Sequence, residues 1–218
     1  LGLALVAVED RPPVSPGIHL RDRFHPSTVL DLLSRPAVAF TTVLGVVGMY
    51  VFQAFVSFFP AFLQQHHGLS RSRAALATGV AFVLIAVVLP LVGEAADRYD
   101  LDASLVVTYL LTAVGFAVLV LRPDAAGLRW VGVVTVGIGL TWGGALQSRF
   151  MREFDTGEGG TGFGLVRTVF VFLGSVGNVA TGVLADGAGW AVAFGVVAGL
   201  LVVAALLVLL NRVLELGL

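Results

Sequence analysis

Three polar side chains share one face of the first long apolar segment of the sequence. Tyr50, Gln53 and Ser57 follow the spacing i, i+3, i+7, which places them on one side of a helix. A phenol, an amide and a hydroxyl can orient a small molecule, but these groups alone do not break covalent bonds. The pattern therefore indicates either the binding of a small solute or hydrogen bonds between neighbouring helices, and both interpretations stay open here.

Further polar residues occur in the later apolar segments. Ser175 and Asn178 share a helical face, and Arg167 falls about one turn after the predicted start of its segment. The guanidinium there either extends to the membrane surface or meets a buried partner or an anionic substrate group. The candidate substrate contacts predicted from the sequence are Tyr50, Gln53, Trp142, Arg167 and Asn178.

The residues needed for catalysis or metal binding do not occur in recognisable patterns. The chain has no cysteine and no lysine, so thiolate chemistry and a lysine-containing phosphate-binding loop are both excluded. The pair His66-His67 lacks the spacing of a metal motif, and Ser175 has no histidine in any apolar segment to activate it. We predict no catalytic residue, metal or cofactor, and keep an intramembrane enzyme only as an alternative.

The composition indicates that the solvent of this chain is lipid. Of the 218 residues, 57% are hydrophobic and 12% are charged, and the mean hydropathy is +0.96. A soluble domain carries about 25% charged residues. With a net charge of −1 and no basic run, the sequence also predicts no nucleic-acid partner.

Six apolar stretches are long enough to cross a bilayer as helices. A span needs about 20 apolar residues, and its backbone groups must be satisfied internally. The sequence thus predicts an all-α membrane protein. The predicted spans are 37–63, 74–92, 103–121, 128–146, 163–185 and 191–210.

The segments outside the spans predict the orientation of the chain. Residues 1–8 look like the end of a preceding helix, residues 8–36 like a loop with a short amphipathic helix within 18–33, and residues 211–218 like a tail. With the N-terminus in the cytoplasm, eight arginines lie inside and four outside. The excess of inside arginine predicts cytoplasmic termini, although it depends on the N-terminal segment.

A weak internal repeat supports an inverted arrangement. The second span ends with Gly93, three residues and Asp97, followed by Arg98, and the fifth ends with Gly182, three residues and Asp186. The two aspartates lie 89 residues and three spans apart, so they face opposite sides of the membrane. Two inverted three-helix units would give this pattern, which is typical of transporter folds.

Four stretches resemble the C-terminal six-helix half of the major facilitator superfamily. They are the loop entering the first span at residues 32–36, the segment 59–70 with its Phe-Pro pair, the degenerate loop motif at 90–98, and the segment 162–190 with its tight turn. The loop motif lacks the basic residues that usually follow its Asp-Arg pair, because Tyr99 and Asp100 stand there. Asp97 is predicted to pair with Arg98, Arg149, Arg152 or a helix N-terminus.

The resemblance implies a secondary transporter in the plasma membrane that works by alternating access. Its first, second, fourth and fifth spans would lie toward the cavity or the partner half, and its third and sixth outside. The implied partners are the lipid bilayer, a small-molecule substrate and either an N-terminal six-helix half or a second copy of the chain. The implied conformational motif comprises Gly93, Asp97, Arg98, Gly182 and Asp186. A non-transporting membrane module remains an alternative.

Overall fold

The computed structural model describes residues 26–121, 125–154 and 159–218. The predicted end of a preceding helix at 1–8, the N-terminal part of the amphipathic patch and Arg122 lie outside these residues. Within the described part, the chain folds into nine helices and no strand. They are α1 (Pro26–Ser34), α2 (Pro36–Gln65), α3 (Arg71–Arg98), α4 (Leu101–Leu121), α5 (Ala126–Gly139), α6 (Trp142–Glu153), α7 (Gly159–Gly174), α8 (Val176–Ala188) and α9 (Trp190–Val213).

These helices form the six predicted membrane spans, so the all-α membrane fold is confirmed. Helices α2, α3, α4 and α9 are one span each, α5 and α6 together form the fourth, and α7 and α8 form the fifth. Several spans run past their predicted ends. The second, for example, ends at Arg98 rather than at residue 92, because Glu94 and Arg98 form an exposed i,i+4 ion pair of 2.7 Å that continues the helix beyond the apolar run.

Spans four and five are each interrupted near a hydroxyl residue, which the sequence did not predict. The fourth breaks at Leu140 and Thr141, where the Thr141 hydroxyl donates to the carbonyl of Ile138 at 2.7 Å. The fifth breaks at Ser175, whose hydroxyl donates to the carbonyl of Phe172 at 2.6 Å. A hydroxyl that donates to a nearby backbone carbonyl competes with the i to i−4 hydrogen bonds of the helix. The glycines next to each break make the backbone easier to bend there.

Successive spans run in opposite directions, so the bundle has two distinct ends. At one, Trp190 donates its indole N–H to Gln65 at 3.0 Å, and we call this the Gln65 end. At the other, the Arg149 end, Arg149 pairs with Asp102. Asp97 falls at the Arg149 end of the second span and Asp186 at the Gln65 end of the fifth, as inverted units require.

The core combines aliphatic side chains with a set of large buried aromatic rings. Phe59 of α2 packs edge-on against Phe116 of α4 and Phe194 of α9, with ring centroids 6.2 and 6.4 Å away. The buried Tyr109 donates from α4 to the Leu44 carbonyl of α2 at 2.8 Å. Spans three and six thus pack against each other and against span one, behind the surface on which the cavities described below open.

Glycines set the distance between spans one and five. A Cβ atom added to Gly177 would lie 3.0 Å from both the carbonyl carbon and the Cα of Tyr50, and one added to Gly174 would lie 2.6 Å from the Met49 Cβ. Only glycine permits this close approach of the two spans. At Gly182 the nearest atom is the ring Cζ of Phe58, at 3.1 Å.

Candidate functional site

A cavity of about 360 Å³ lies between spans one, two, four and five. No residue of span three or six lines it. Its walls are mostly apolar and aromatic, and the polar side chains on them are those of Trp142, Gln147 and Arg167. The lining agrees with the arrangement that the family resemblance implies. The apolar wall comprises Met49, Phe52, Ile85, Leu89, Phe163, Phe170 and Val171 together with leucines and glycines of the fourth span.

Trp142 is the first residue of α6, directly after the break in span four. Its six-membered ring lies flat on α2 at Gly48, where an added Cβ would come within 2.8 Å of three ring carbons. The indole ring is 6.3 Å from the buried ring of Tyr109. The indole nitrogen is buried and has no acceptor in the described part of the chain.

Helix α7 begins at Gly159, four residues before the predicted start of the fifth span. Arg167 therefore lies two turns, roughly 12 Å, after the start of the helix, and its side chain is exposed. Its guanidinium carbon is 6.0 Å from the centroid of the Phe163 ring, within range of a cation–π contact. Among the described residues, no carboxylate lines the cavity and no acidic group pairs with Arg167.

Gln147 was not among the predicted contacts, although its amide lines the cavity. The sequence placed it just after a span thought to end at residue 146, whereas α6 continues to Glu153. The signal that identifies it is the amphipathic pattern of α6, which carries polar and charged residues on an otherwise apolar span. Extending the helix through those charges would have placed Gln147 inside the bundle.

A second cavity of about 510 Å³ adjoins the first on the side of the Arg149 end. The two share Leu89, Gly144 and Gln147 as lining residues. Asp97 and Arg152 line only the second cavity. The space between spans two and four therefore continues from the middle of the bundle toward one end, with Gln147 at the junction.

The second and fourth spans nearly touch at the junction of the two cavities. A Cβ added to Gly144 would lie 3.1 Å from the backbone nitrogen of Gly93 and from the carbonyl oxygen of Leu89. One added to Gly93 would meet only the Cα of Gly144, at 3.9 Å. The two helices therefore approach each other closely at Gly93, and Gly144 is the residue that has little room for a side chain.

The charge pairs at the Arg149 end differ from those predicted around Asp97. Arg98 pairs with Glu94 instead, at 2.7 Å on the surface. Arg149 pairs with Asp102 instead, because the turn between α3 and α4 brings that carboxylate under α6. Asp97 itself is exposed and forms no ion pair within the part of the chain that the structure describes, although it shares a cavity with Arg152.

Arg149 is the centre of a buried polar cluster. Its side chain is only 8% exposed, and it donates to the Thr41 hydroxyl at 3.0 Å as well as to Asp102 and the Leu218 carbonyl. The Asn211 amide also holds Leu218, through hydrogen bonds of 2.7 and 3.0 Å. This cluster joins spans one, three, four and six, and nothing in the sequence patterns singled it out.

The remaining predicted contacts lie outside the cavity lining. Asn178 accepts a hydrogen bond of 2.8 Å from the Ser57 hydroxyl. This bond joins the polar face of span one to that of span five. Tyr50 contacts Gly174 and Gly177 through its backbone. Gln53 is half-buried on the same helix and does not line the cavity. Of the five predicted contacts, the structure brings Trp142 and Arg167 together.

A helical membrane bundle with a cavity framed by spans one, two, four and five has the arrangement that the family resemblance implies. The sequence profile of the Major Facilitator Superfamily matches residues 1–177. The chain therefore belongs to the Major Facilitator Superfamily, in agreement with the resemblance noted in its sequence.

A solved structure with the same fold is that of the POT family transporter PepTSo, crystallised in meso. It superimposes with a TM-score of 0.66 at 20% sequence identity, over 81% of the present chain and 37% of the transporter. The chain thus spans little more than a third of that protein's length, and at this identity the likeness concerns the fold alone. No curated protein matches the chain significantly.

Proposed function

We propose that the chain forms one six-helix half of a secondary or facilitative transporter that moves a small solute by alternating access. The observation that carries the proposal is the pair of adjoining cavities, which lead from the middle of the bundle to the Arg149 end. A protein that only resided in lipid would need no such passage. Transporter sites commonly lie near the midplane between two helical bundles.

The second bundle would be an N-terminal six-helix half or a second copy of the chain. Spans two and five carry large apolar side chains that remain exposed, among them Val83 and Val87 of α3, Phe172 of α7 and Val179 of α8. These spans would face the partner half and close the substrate site from the other side. The lipid bilayer would cover the rest of the bundle.

Within this half, the proposed substrate contacts are Trp142 and Arg167 from the predicted set, with Gln147 added from the cavity lining. Tyr50, Gln53 and Asn178 would act on the substrate only if spans one and five separate. The hydrogen bond between Ser57 and Asn178 supports the alternative that this polar face joins helices. The Ser175 hydroxyl is similarly engaged within its own helix, which gives no support to an enzyme.

The proposed conformational motif is the close contact of Gly93 with Gly144, together with Asp97 and Arg98 at the Arg149 end and Gly182 and Asp186 at the other. The arginine bias would place the Arg149 end and both termini in the cytoplasm, with the protein in the plasma membrane. On this orientation, the adjoining cavities open toward the cytoplasm.

Thiol accessibility tests this function without knowledge of the substrate. The chain has no cysteine, so a thiol introduced by Gln147→Cys is the only one in it. Tyr99→Cys, at an 86% exposed position of the Arg149 end, reports sidedness, and Gly199→Cys, on the outer surface of α9, provides a lipid-facing control.

Alternating access predicts that a charged, membrane-impermeant thiol reagent reaches the Gln147→Cys thiol from both sides of the membrane. Conditions that raise labelling from one side should lower it from the other. Labelling no faster than at Gly199→Cys from either side would mean a dry bundle and would favour the non-transporting module. The same reagent should label Tyr99→Cys only from the cytoplasmic side.

A further inference from the structure

Arg167 places a positive charge beside an apolar cavity, and no acidic residue in the described part of the chain forms an ion pair with it. It lies two helical turns after the start of α7, its side chain is exposed, and its guanidinium contacts the ring of Phe163. Charged side chains at membrane depth are costly unless they are paired or meet water or a ligand. None of the described residues that line the cavity is acidic, so these residues offer the guanidinium no counter-ion.

The charged group beside the cavity, the Arg167 guanidinium, only donates hydrogen bonds, and the Gln147 amide on the same wall both donates and accepts. A guanidinium fork matches a carboxylate and can donate two parallel hydrogen bonds to it. The indole ring of Trp142 lines the same cavity, although its N–H is buried away from it. With one cation and no acid among the described lining residues, the site favours a single negative charge over a dianion, an organic cation or a zwitterion.

The rest of the lining suits an apolar body. Phe52, Phe163 and Phe170 line the cavity with Met49 and Ile85. Its volume of about 360 Å³ is near the lower end of the range for small-molecule sites, roughly 300–1,000 Å³. A ligand with several hydroxyl groups would leave most of them without partners on these walls.

We propose that the cavity binds a monocarboxylate with a small aromatic or aliphatic body, the carboxylate on Arg167 and the body against the phenylalanine wall. This inference rests on the proposed transport function and names the substrate class for the same site. The alternatives are a neutral apolar solute, which would not need Arg167, and a structural role for Arg167 with an acidic group of the partner half.

Ligand protection of the Gln147→Cys thiol tests the substrate class in the full-length protein reconstituted in liposomes. Two matched sets serve as probes: phenylacetate, phenylacetamide and phenethylamine, then hexanoate, hexanamide and hexylamine. Each set keeps the body and changes only the charge. We expect the acids to slow maleimide labelling at concentrations about tenfold or more below those of the amides, and the amines not to protect.

Variants at Arg167 assign the effect to this residue. Arg167→Gln should abolish the preference for acids over amides, and Arg167→Lys should retain part of it. Arg73→Gln removes the same charge from an exposed position outside the cavity and should leave the preference unchanged.

Three results would overturn the inference: equal protection by acids and amides, no protection by either acid, or an acid preference that survives Arg167→Gln. In each case, labelling of the Gln147→Cys thiol from both sides would leave the transport function standing. If that labelling itself does not occur, the transport function fails as well, so the two failures are distinguishable.

Discussion

The contact between Gly177 and Tyr50 allows a sharp prediction about the packing of spans one and five. Gly177→Ala adds a Cβ atom 3.0 Å from the carbonyl carbon and the Cα of Tyr50, and closer still to the carbonyl oxygen. These are backbone atoms in the middle of a helix, so they cannot rotate away as a flexible side chain would. The two helices must instead separate by roughly half an ångström or more to restore ordinary contact.

The size of the effect follows from two opposing contributions. Overpacking of this kind typically costs ~1–3 kcal/mol of folding free energy. Alanine also has a helix propensity better than that of glycine by up to ~1 kcal/mol. Gly199→Ala isolates the second contribution, because Gly199 is exposed in the middle of α9 and an added Cβ there has no atom within 4 Å. The difference between the two variants is therefore the packing cost, ~1–3 kcal/mol.

Unfolding in mixed micelles measures this difference. Titration with SDS, followed by far-UV circular dichroism, gives the free energy of unfolding for the parent protein and for both variants. We expect Gly199→Ala to match or slightly exceed the parent, and Gly177→Ala to fall below it. A Gly177→Ala protein as stable as Gly199→Ala would refute the close contact between spans one and five.

Two further predictions use the same unfolding assay. Arg149→Met should lower the free energy of unfolding by ~3–5 kcal/mol, because it leaves the mostly buried carboxylate of Asp102 without its cation. Arg98→Met removes an exposed ion pair and should cost ~1 kcal/mol or less. Equal losses of stability in the two variants would contradict the buried cluster. In a double-mutant cycle of Ser57→Ala and Asn178→Ala, the coupling should be ~1 kcal/mol, since their hydrogen bond joins two helices in an apolar environment; a coupling near zero would mean that the bond contributes nothing to helix association.

The sequence predicts the spans well because the hydrocarbon thickness imposes their length. A continuous apolar run of about 20 residues has few alternatives to a membrane helix. The interruptions at Leu140–Thr141 and at Ser175 could not be predicted in this way. They depend on single hydroxyl groups that bond to their own backbone, and hydropathy averaged over a window does not detect them.

The candidate site is harder to predict than the spans. The sequence shows which residues share a face of one helix, but it does not show which neighbouring helix that face packs against. The sequence placed Ser57 on a polar face, and the structure pairs it with Asn178 on another span. Trp142 and Arg167 meet at one cavity although 25 positions separate them in the sequence, and only the packing of spans four and five brings them together. The ion-pair partner of Arg149 could not be predicted either, because the predicted topology brings several acidic residues to the same end of the bundle and does not distinguish among them.

The contact between Gly93 and Gly144 lies close to one end of the second span, so a rotation of this helix about the contact would move its two ends by different distances. Helix α3 extends ~33 Å from Gly93 to its start at Arg71, but only ~7.5 Å to its end at Arg98. A tilt of ~10° about this contact would shift the Arg98 end by ~1 Å and the Arg71 end by ~6 Å. In such a rotation, a small displacement of α3 at the Arg149 end would accompany a displacement several times larger at its Arg71 end.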